Sequence, residues 1–463
     1  MTHPKKCYHF IGIGGVGMGA LASLMASKGH RVSGSDLKES DWTHKLRQQG
    51  IGISIGHSEK NLESPDVVVY SSAISKDNPE WMGARQKGIA ILPRAQLLAE
   101  IMQSQKGITV AGAHGKTTTT SLISYLLIQA GLHPTTAVGG VVNNGSGYHA
   151  HLGAGEYFVA EVDESDGSFL YFSPFYSVIT NIDFEHVDYY GSWENIVKAY
   201  RQFIARTHVD GHIIGCRDDQ KLYSLLKESG RRVTSYGFSK ESDVFAVNPV
   251  VQGYSTQYEC IFRGKNLGMV RLKIPGQHNI LNSLACLALG MELGIDLDVI
   301  KKSLSEFEGA KRRMQLKWHA HGIMIVDDYG HHPTEITATL KAAKSFGCQR
   351  VIVVFQPHRY TRTKYLMDEF VHSLSGCDYL ILTDIYAASE PAMEGVNSEA
   401  LFEKIKSQSR TPGVYLKKEE ILAHLLDIVK EGDLVLTLGA GDVTKISDEL
   451  AARFKGAHEK SAV

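Results

Sequence analysis

Residues 108–131 read ITVAGAHGKTTTTSLISYLLIQAG, and this stretch decides the fold. ITVAG is a short apolar run of β-strand character that ends in glycine, and Thr118–Gln129 reads as a helix. Between them lies a glycine-bounded loop with a single lysine. Gly112 and Gly115 expose backbone N–H groups, and Lys116 brings a cation to the β and γ phosphates of a nucleotide. Thr117 opens a helix whose dipole favours anions, where its hydroxyl can ligate Mg²⁺. Gly112, Ala113, His114, Gly115, Lys116, Thr117 and Thr118 are therefore read as an ATP-binding segment. The loop is shorter than GxxxxGK[ST], because Val110 stands where the first glycine would fall.

Outward from this loop, strand-like runs alternate with helical stretches along the whole chain, the pattern of α/β units with parallel sheets. With 463 residues the chain exceeds what one core holds. Restarts at ITVAG and at IMIVDDYGHHP divide it into expected domains of 1–102, 103–310 and 311–463. Basic and acidic side chains number 49 and 50, so a nucleic-acid or anionic-membrane surface is not expected. The six cysteines form no CxxC pair and read as reduced thiols. The apolar run after the N-terminal lysines is too short for a signal peptide, and no stretch is long enough to span a membrane. A cytoplasmic location is expected, as a monomer or homodimer.

A second loop, GIGGVG, sets Gly12, Gly14 and Gly17 in GxGxxG spacing between a strand and a helix, with Asp36 closing the next strand. That fingerprint suits a pyrophosphate, and alone it suggests a dehydrogenase. Two nucleotide-type loops suggest more: an enzyme that uses ATP on a substrate itself carrying a diphosphate needs both. Acids cluster where two later strands run out. AEVDESD holds Glu161, Asp163, Glu164 and Asp166, and DFEHVD holds Asp183, Glu185, His186 and Asp188. Acids beside transferring phosphates hold Mg²⁺.

HFIGIGGVGM, AGAHGKTTTT, AEVDESDGSF, TNIDFEHVD, PGQHNILN, AKRRMQ, DDYGHHPTE and FQPHRYTR occur in an order in which the chain strongly resembles the Mur ligases. The resemblance implies three α/β domains: a Rossmann-like UDP-binding domain, a central P-loop ATPase-type domain and a C-terminal Rossmann-like domain. It implies an ATP-dependent ligase joining L-alanine to the lactyl carboxylate of UDP-N-acetylmuramate through an acyl phosphate. On that basis Gly14, Gly15, Val16, Gly17, Asp36 and Ser71 take the UDP-sugar, and Thr117, Glu161 and His186 hold magnesium. His278 and Asn279 lie by the adenine, with a helix N-cap as the other reading; Asp328 meets the ribose. Arg313 reaches the terminal phosphate, with a solvated basic hinge as its alternative, and joins Lys116, Glu161 and His186 as catalytic.

The amino acid falls to Tyr329, His331, His358, Arg359 and Arg362, since a guanidinium fork suits a carboxylate. Arg359 and Arg362 share a face if a helix starts there. Several sister ligases carry a carbamylated lysine; Lys198 and Arg201 compete for that slot, and no modification is assigned to either. His186 and His331 are the base candidates. Two other readings stay open: a recycling ligase that attaches a tripeptide, and a nicotinamide-dependent dehydrogenase or NAD-binding regulator.

Overall fold

The computed structural model describes residues 4–71, 73–138, 150–388 and 390–461. Ser72, and the side chain of Asp188 from the second acidic cluster, lie outside the described residues. The first sheet comprises β1 (Cys7–Ile11), β2 (Arg31–Asp36), β3 (Gly52–Ile55), β4 (Val67–Tyr70) and β5 (Ala90–Pro93). Its pairings are all parallel, in the order β3-β2-β1-β4-β5. Strand order reverses at β1, so the glycine loop after β1 opens into the crevice at the carboxyl ends. Helix Val16–Ser27 follows at once and buries Met18, Leu21, Leu24 and Met25.

Beneath this sheet Glu80 is fully buried and accepts from Ser35, Asn61 and the Ser58 amide (3.2 Å), with His9 Nε2 at 3.4 Å. Burial alone would raise its pKa, but these donors outweigh burial and bring it down to about 2. With a folded pKa below the unfolded value, the stabilisation is present at neutral pH. It is lost as pH falls toward about 2.

The middle sheet is built from β6 (Lys106–Ala111), β7 (Thr135–Ala137), β8 (Ala150–His151), β9 (Tyr157–Glu161), β10 (Tyr176–Ile179), β11 (His212–Cys216) and β12 (Val233–Gly237). They run β12-β11-β10-β6-β9-β7-β8, parallel except where β8 opposes β7. From Gly107 onward β6 is buried throughout, as a central parallel strand must be. It feeds the phosphate loop and helix Lys116–Gln129, which begins two residues earlier than the apolar pattern suggests.

By contacts the chain divides into two compact units. One holds Met1–Ala246, Cys260–Gly268 and Leu281–Leu304, and so both sheets above; the other holds Val247–Glu259, Met269–Ile280 and Ser305–Val463. Strands β13 (Val244–Gln252), β14 (Ser255–Phe262) and β15 (Lys265–Leu272) are shared out between them.

The second unit contains β16 (Gln315–Ala320), β17 (Ile323–Asp328), β18 (Arg350–Phe355), β19 (Tyr379–Leu382), β20 (Gly413–Tyr415) and β21 (Asp433–Leu438). Their order is β16-β17-β21-β18-β19-β20, with only β16 antiparallel to its neighbour. Alternation places Val351, Val353 and Phe355 in one core and Ile352 and Val354 in the other, so apolar layers cover both faces. The six cysteines are free. Among the described residues no helix is long and apolar enough to cross a membrane.

Replacing Glu80 by alanine strands several buried donors and should lower unfolding free energy by about 3 kcal/mol or more. Denaturant unfolding measures this. A loss below about 1 kcal/mol would mean that the network carries little.

Candidate active site

The phosphate loop is shaped by its contact with the end of β10. Gly112 has φ 132°, and a β-carbon there would stand 2.1 Å from Thr180 Oγ1, so only glycine fits. Thr180 Oγ1 and Asn181 Nδ2 donate to the His114 carbonyl at 2.6 and 3.0 Å, and the His114 amide donates to Asn181 Oδ1 at 2.8 Å. Gly115, at φ 83°, precedes helix Lys116–Gln129 without a side-chain cap, leaving the helix N-terminus to an anion. Asn282 Oδ1 accepts from Thr119 Oγ1 at 3.1 Å and would stand 2.5 Å from a β-carbon on Gly115.

Lys116 turns its ammonium back over the loop. It donates to the Gly112 carbonyl at 2.7 Å and to both Glu164 oxygens at 2.8 Å. Thr117 Oγ1 donates to Glu161 Oε1 at 2.9 Å. His186 Nε2 lies 3.5 Å from carboxylate oxygens of both Glu164 and Glu185, on a left-handed backbone at φ 56°. Burial would raise the Glu164 pKa, but Lys116 and His186 outweigh it and hold the carboxyl near 2. The same pairing lifts Lys116 and His186 above their usual values despite burial. Glu164, one of four acids in AEVDESD, is thus the carboxylate that both cations share; spacing alone does not single it out.

Two oxygen-rich groupings suit a hard divalent cation: Thr117 with Glu161, and Glu164, Glu185 and His186, whose ligand atoms lie within 4.8 Å of one another. Lys198 and Arg201 are exposed on helix Trp193–Arg206, which turns Ile196, Ala199, Tyr200 and Phe203 inward. Neither reaches this cluster.

Around the first glycine loop, the Gly14 amide donates to Asp36 Oδ2 at 2.8 Å and the Lys38 amide to Oδ1 at 3.3 Å. Asp36 therefore braces the loop. A cavity of about 320 Å³ runs from Gly15 and Gly17 past Ser71 and Arg94 to Lys116 and Glu161. Both glycine loops thus open into one space.

The second unit gathers the other candidates. His278 packs its ring over Gly276; burial, with Arg313 nearby, pushes its pKa down to about 4. Asn279 Nδ2 donates to the Pro275 carbonyl at 2.7 Å. Arg313 stands 5.1 Å from the Tyr329 ring centroid, with Glu335 at 3.4 Å. Asp328 is buried, and its carboxylate accepts from Met314 N (2.7 Å), Gly330 N (2.8 Å) and Thr339 Oγ1 (3.2 Å). These bonds fix the turn after β17.

Tyr329, His331 and His358 form an aromatic chain with ring centroids 5.4 and 5.6 Å apart, and His358 stacks on Tyr386. Burial, with Arg362 nearby, holds His331 to about 3 and His358 to about 4, so both are neutral. His331 Nδ1 lies 3.0 Å from the Tyr329 carbonyl, which assigns its proton to Nδ1. Helix Tyr360–Tyr365 does start where the sequence suggests, but Arg359 is its N-cap, at φ 73°, rather than a member. The two guanidiniums diverge: Arg359 faces Glu390 at 3.9 Å, and Arg362 donates to the His358 carbonyl at 3.2 Å. Neither base candidate is tuned for proton abstraction at neutral pH. His186 is held toward imidazolium, and His331 is too weakly basic.

Comparison with known proteins follows this layout. Residues 7–106 match the model of the Mur ligase family catalytic domain, 110–290 the Mur ligase middle domain, and 312–441 the Mur ligase glutamate ligase domain. The UDP-N-acetylmuramate–L-alanine ligase of Geotalea daltonii is 45% identical, with 97% of this chain and 98% of that one aligned. Among solved structures, UDP-N-acetylmuramate–alanine ligase from Thermotoga maritima superposes with a TM-score of 0.83 at 30% identity, covering 98% of this chain and 100% of that one. A murein peptide ligase from Psychrobacter arcticus gives 0.73 at 25% identity, over 96% and 98% of the two chains.

Glu164→Gln removes the anion that raises the His186 pKa. An NMR titration of the histidine ring protons should show the His186 pKa falling, since burial alone lowers it once the Glu164 charge is gone. An unchanged pKa would mean that Glu164 does not organise the cluster.

Proposed function

The chain belongs to the Mur ligase family, and we propose that it joins L-alanine to the lactyl carboxylate of UDP-N-acetylmuramate, converting ATP to ADP and phosphate. The observation that carries this reading is the single cavity connecting the first glycine loop to Lys116 and Glu161. A substrate whose diphosphate rests on one loop can extend its carboxylate to the other, where a phosphoryl group is delivered. A dehydrogenase has no use for that second end. Full-length identity of 45% to a relative named for alanine, against 25% to a murein peptide ligase, favours alanine over a tripeptide.

In this reading residues 1–102 hold the UDP-sugar, 103–310 hold ATP and 311–463 present the amino acid. A carboxylate resists attack because its charge is delocalised. Transfer of the γ-phosphoryl group to one carboxylate oxygen makes an acyl phosphate and releases ADP. The unprotonated amine of alanine then adds to the acyl carbon, and phosphate leaves from the tetrahedral adduct. Lys116 exchanges Glu164 and the Gly112 carbonyl for phosphate oxygens, and Arg313 is its assigned counterpart on the terminal phosphate. His278, Asn279 and Asp328 are assigned to the nucleoside. Thr117, Glu161 and His186 are the assigned magnesium ligands; when bound, the ion neutralises charge on the transferring phosphoryl group. His186 must shed its proton to serve there, so metal binding and proton release are linked. Tyr329, His331, His358, Arg359 and Arg362 are assigned to alanine. Free ATP and a nucleotide-sugar as substrates point to the cytoplasm.

Phosphate release should require ATP, UDP-N-acetylmuramate and alanine together. Release with tripeptide but not alanine, or a nicotinamide fluorescence change in place of phosphate, would replace this reading. Lys116→Ala should lose about 3–4 kcal/mol of transition-state stabilisation, read from kcat/KM; near-normal turnover would remove the phosphate-loop assignment. Arg359→Ala should raise KM for alanine far more than KM for ATP, and equal effects would count against its place in the amino-acid site.

A further inference from the structure

The segments that follow β18 and β19 stay paired beyond the ends of their strands. Tyr386 N donates to the Pro357 carbonyl at 2.8 Å, and Arg359 N to the Tyr386 carbonyl at 2.9 Å. This pairing holds Arg359 in a left-handed backbone at φ 73°, which residues other than glycine rarely adopt. Glu390, on the segment after β19, comes to lie beside it. Thr361 donates to the Glu390 carboxylate twice, through its amide to Oε2 at 3.0 Å and through its hydroxyl to Oε1 at 2.7 Å. Those two bonds fix the carboxylate, and each oxygen can accept one more. Arg359 does not fill that place. Its Nη1 stops 3.9 Å from Oε1, beyond hydrogen-bond range. Among the described residues the guanidinium donates no hydrogen bond, although its planar fork carries five N–H groups. The Glu390 side chain is 17% exposed and that of Arg359 45%, so a solute can reach both. A fixed anion and an unspent cation thus stand side by side, slightly too far apart to satisfy each other.

Resting on the proposed function, which assigns Arg359 to the amino acid, we propose that Glu390 binds the α-ammonium of that amino acid while Arg359 takes its carboxylate. An α-amino acid carries both charged groups on one carbon, with nitrogen and carboxyl carbon about 2.5 Å apart. Laid against the pair, it sets each charge opposite its counter-ion and supplies the hydrogen bonds that Arg359 and Glu390 do not give each other. Arginine alone would hold any small carboxylate; the anion beside it tests for the nitrogen. A hydroxy acid leaves Glu390 desolvated with no cation, and a β-amino acid holds its ammonium one carbon too far away to meet both groups. Glu390 is therefore a binding residue that selects α-amino acids. Thr361 is a positioning residue, acting through the carboxylate that it holds.

L-Lactate, which has the carboxylate and methyl group of alanine but a hydroxyl in place of the ammonium, is the diagnostic probe. In steady-state phosphate-release assays, Glu390→Gln should raise KM for L-alanine about ten- to a hundred-fold, with KM for ATP and for UDP-N-acetylmuramate unchanged. L-Lactate should compete with alanine in the wild type only at concentrations far above KM for alanine. It should compete at least as well in Glu390→Gln, and less well in Arg359→Ala. Lactate inhibition lost in Glu390→Gln in step with alanine binding would overturn the assignment alone, since Glu390 would then only brace the helix behind Arg359. A KM for alanine unchanged in Glu390→Gln would overturn it too, as would a wild type that lactate does not inhibit at all, because Arg359 would then hold no carboxylate. Wild-type protein whose phosphate release alanine does not stimulate would overturn the assignment and the functional reading together.

Discussion

Glu164 is a carboxylate with almost no access to water, and such a charge persists only where cations surround it. Lys116 and His186 do so, and the three residues come from three separate strand ends: the turn after β6, the segment after β9 and the segment after β10. One desolvated charge therefore draws together the glycine loop after β6 and the acid-bearing ends of β9 and β10. It also biases their ionisation, since it raises the His186 pKa, and it keeps the lysine on the loop. An incoming triphosphate presents Lys116 with a more highly charged partner. Under the proposed function, the pair is an interaction that the nucleotide would displace, and displacement would free a carboxylate where a divalent cation takes oxygen ligands.

The same economy appears around the first loop, where polar groups are satisfied from within except at the cavity. Asp36 is occupied by the Gly14 and Lys38 amides, and Glu80 by a buried set of donors below the sheet. These internal bonds hold the glycine loop in place and leave Arg94 and the helix end facing the cavity. Bracing of this kind keeps the loop amides in place without a bound ligand.

Much of this was legible in the sequence because glycine spacing, strand-end acids and apolar runs are local signals. Both loops, the three sheets and the clustering of Glu161 and His186 at strand ends come from such patterns. Asn282 and Glu80 were not legible: each matters through a neighbour far along the chain, and a lone asparagine or glutamate looks like any surface residue. Arg359 and Arg362 show the opposite limit. Their spacing suggests one helical face, but the positive φ of Arg359 takes it out of the helix and sends its side chain toward Glu390. Backbone handedness at a helix entry is set by tertiary contacts such as the Arg359 amide to the Tyr386 carbonyl, which spacing does not encode.

The glycine missing at Val110 has a structural cause with chemical consequences. Val110 is still in β6, fully buried and paired with Val178 on one side and Glu161 on the other. The strand runs to Ala111 before the chain turns, so the loop has only Gly112 to Gly115 in which to reverse toward the helix. A loop that short cannot arch away from the sheet. It lies against Thr180 and Asn181, and Thr117 comes within hydrogen-bond distance of the residue that pairs with Val110, Glu161. A longer loop would lift lysine and threonine off the strand ends and away from the acids. The extra strand residue therefore places the phosphate loop, Thr117, Glu161 and the buried Glu164 carboxylate within one short span, and a glycine at 110 would leave an unfilled space in the packed centre of the sheet.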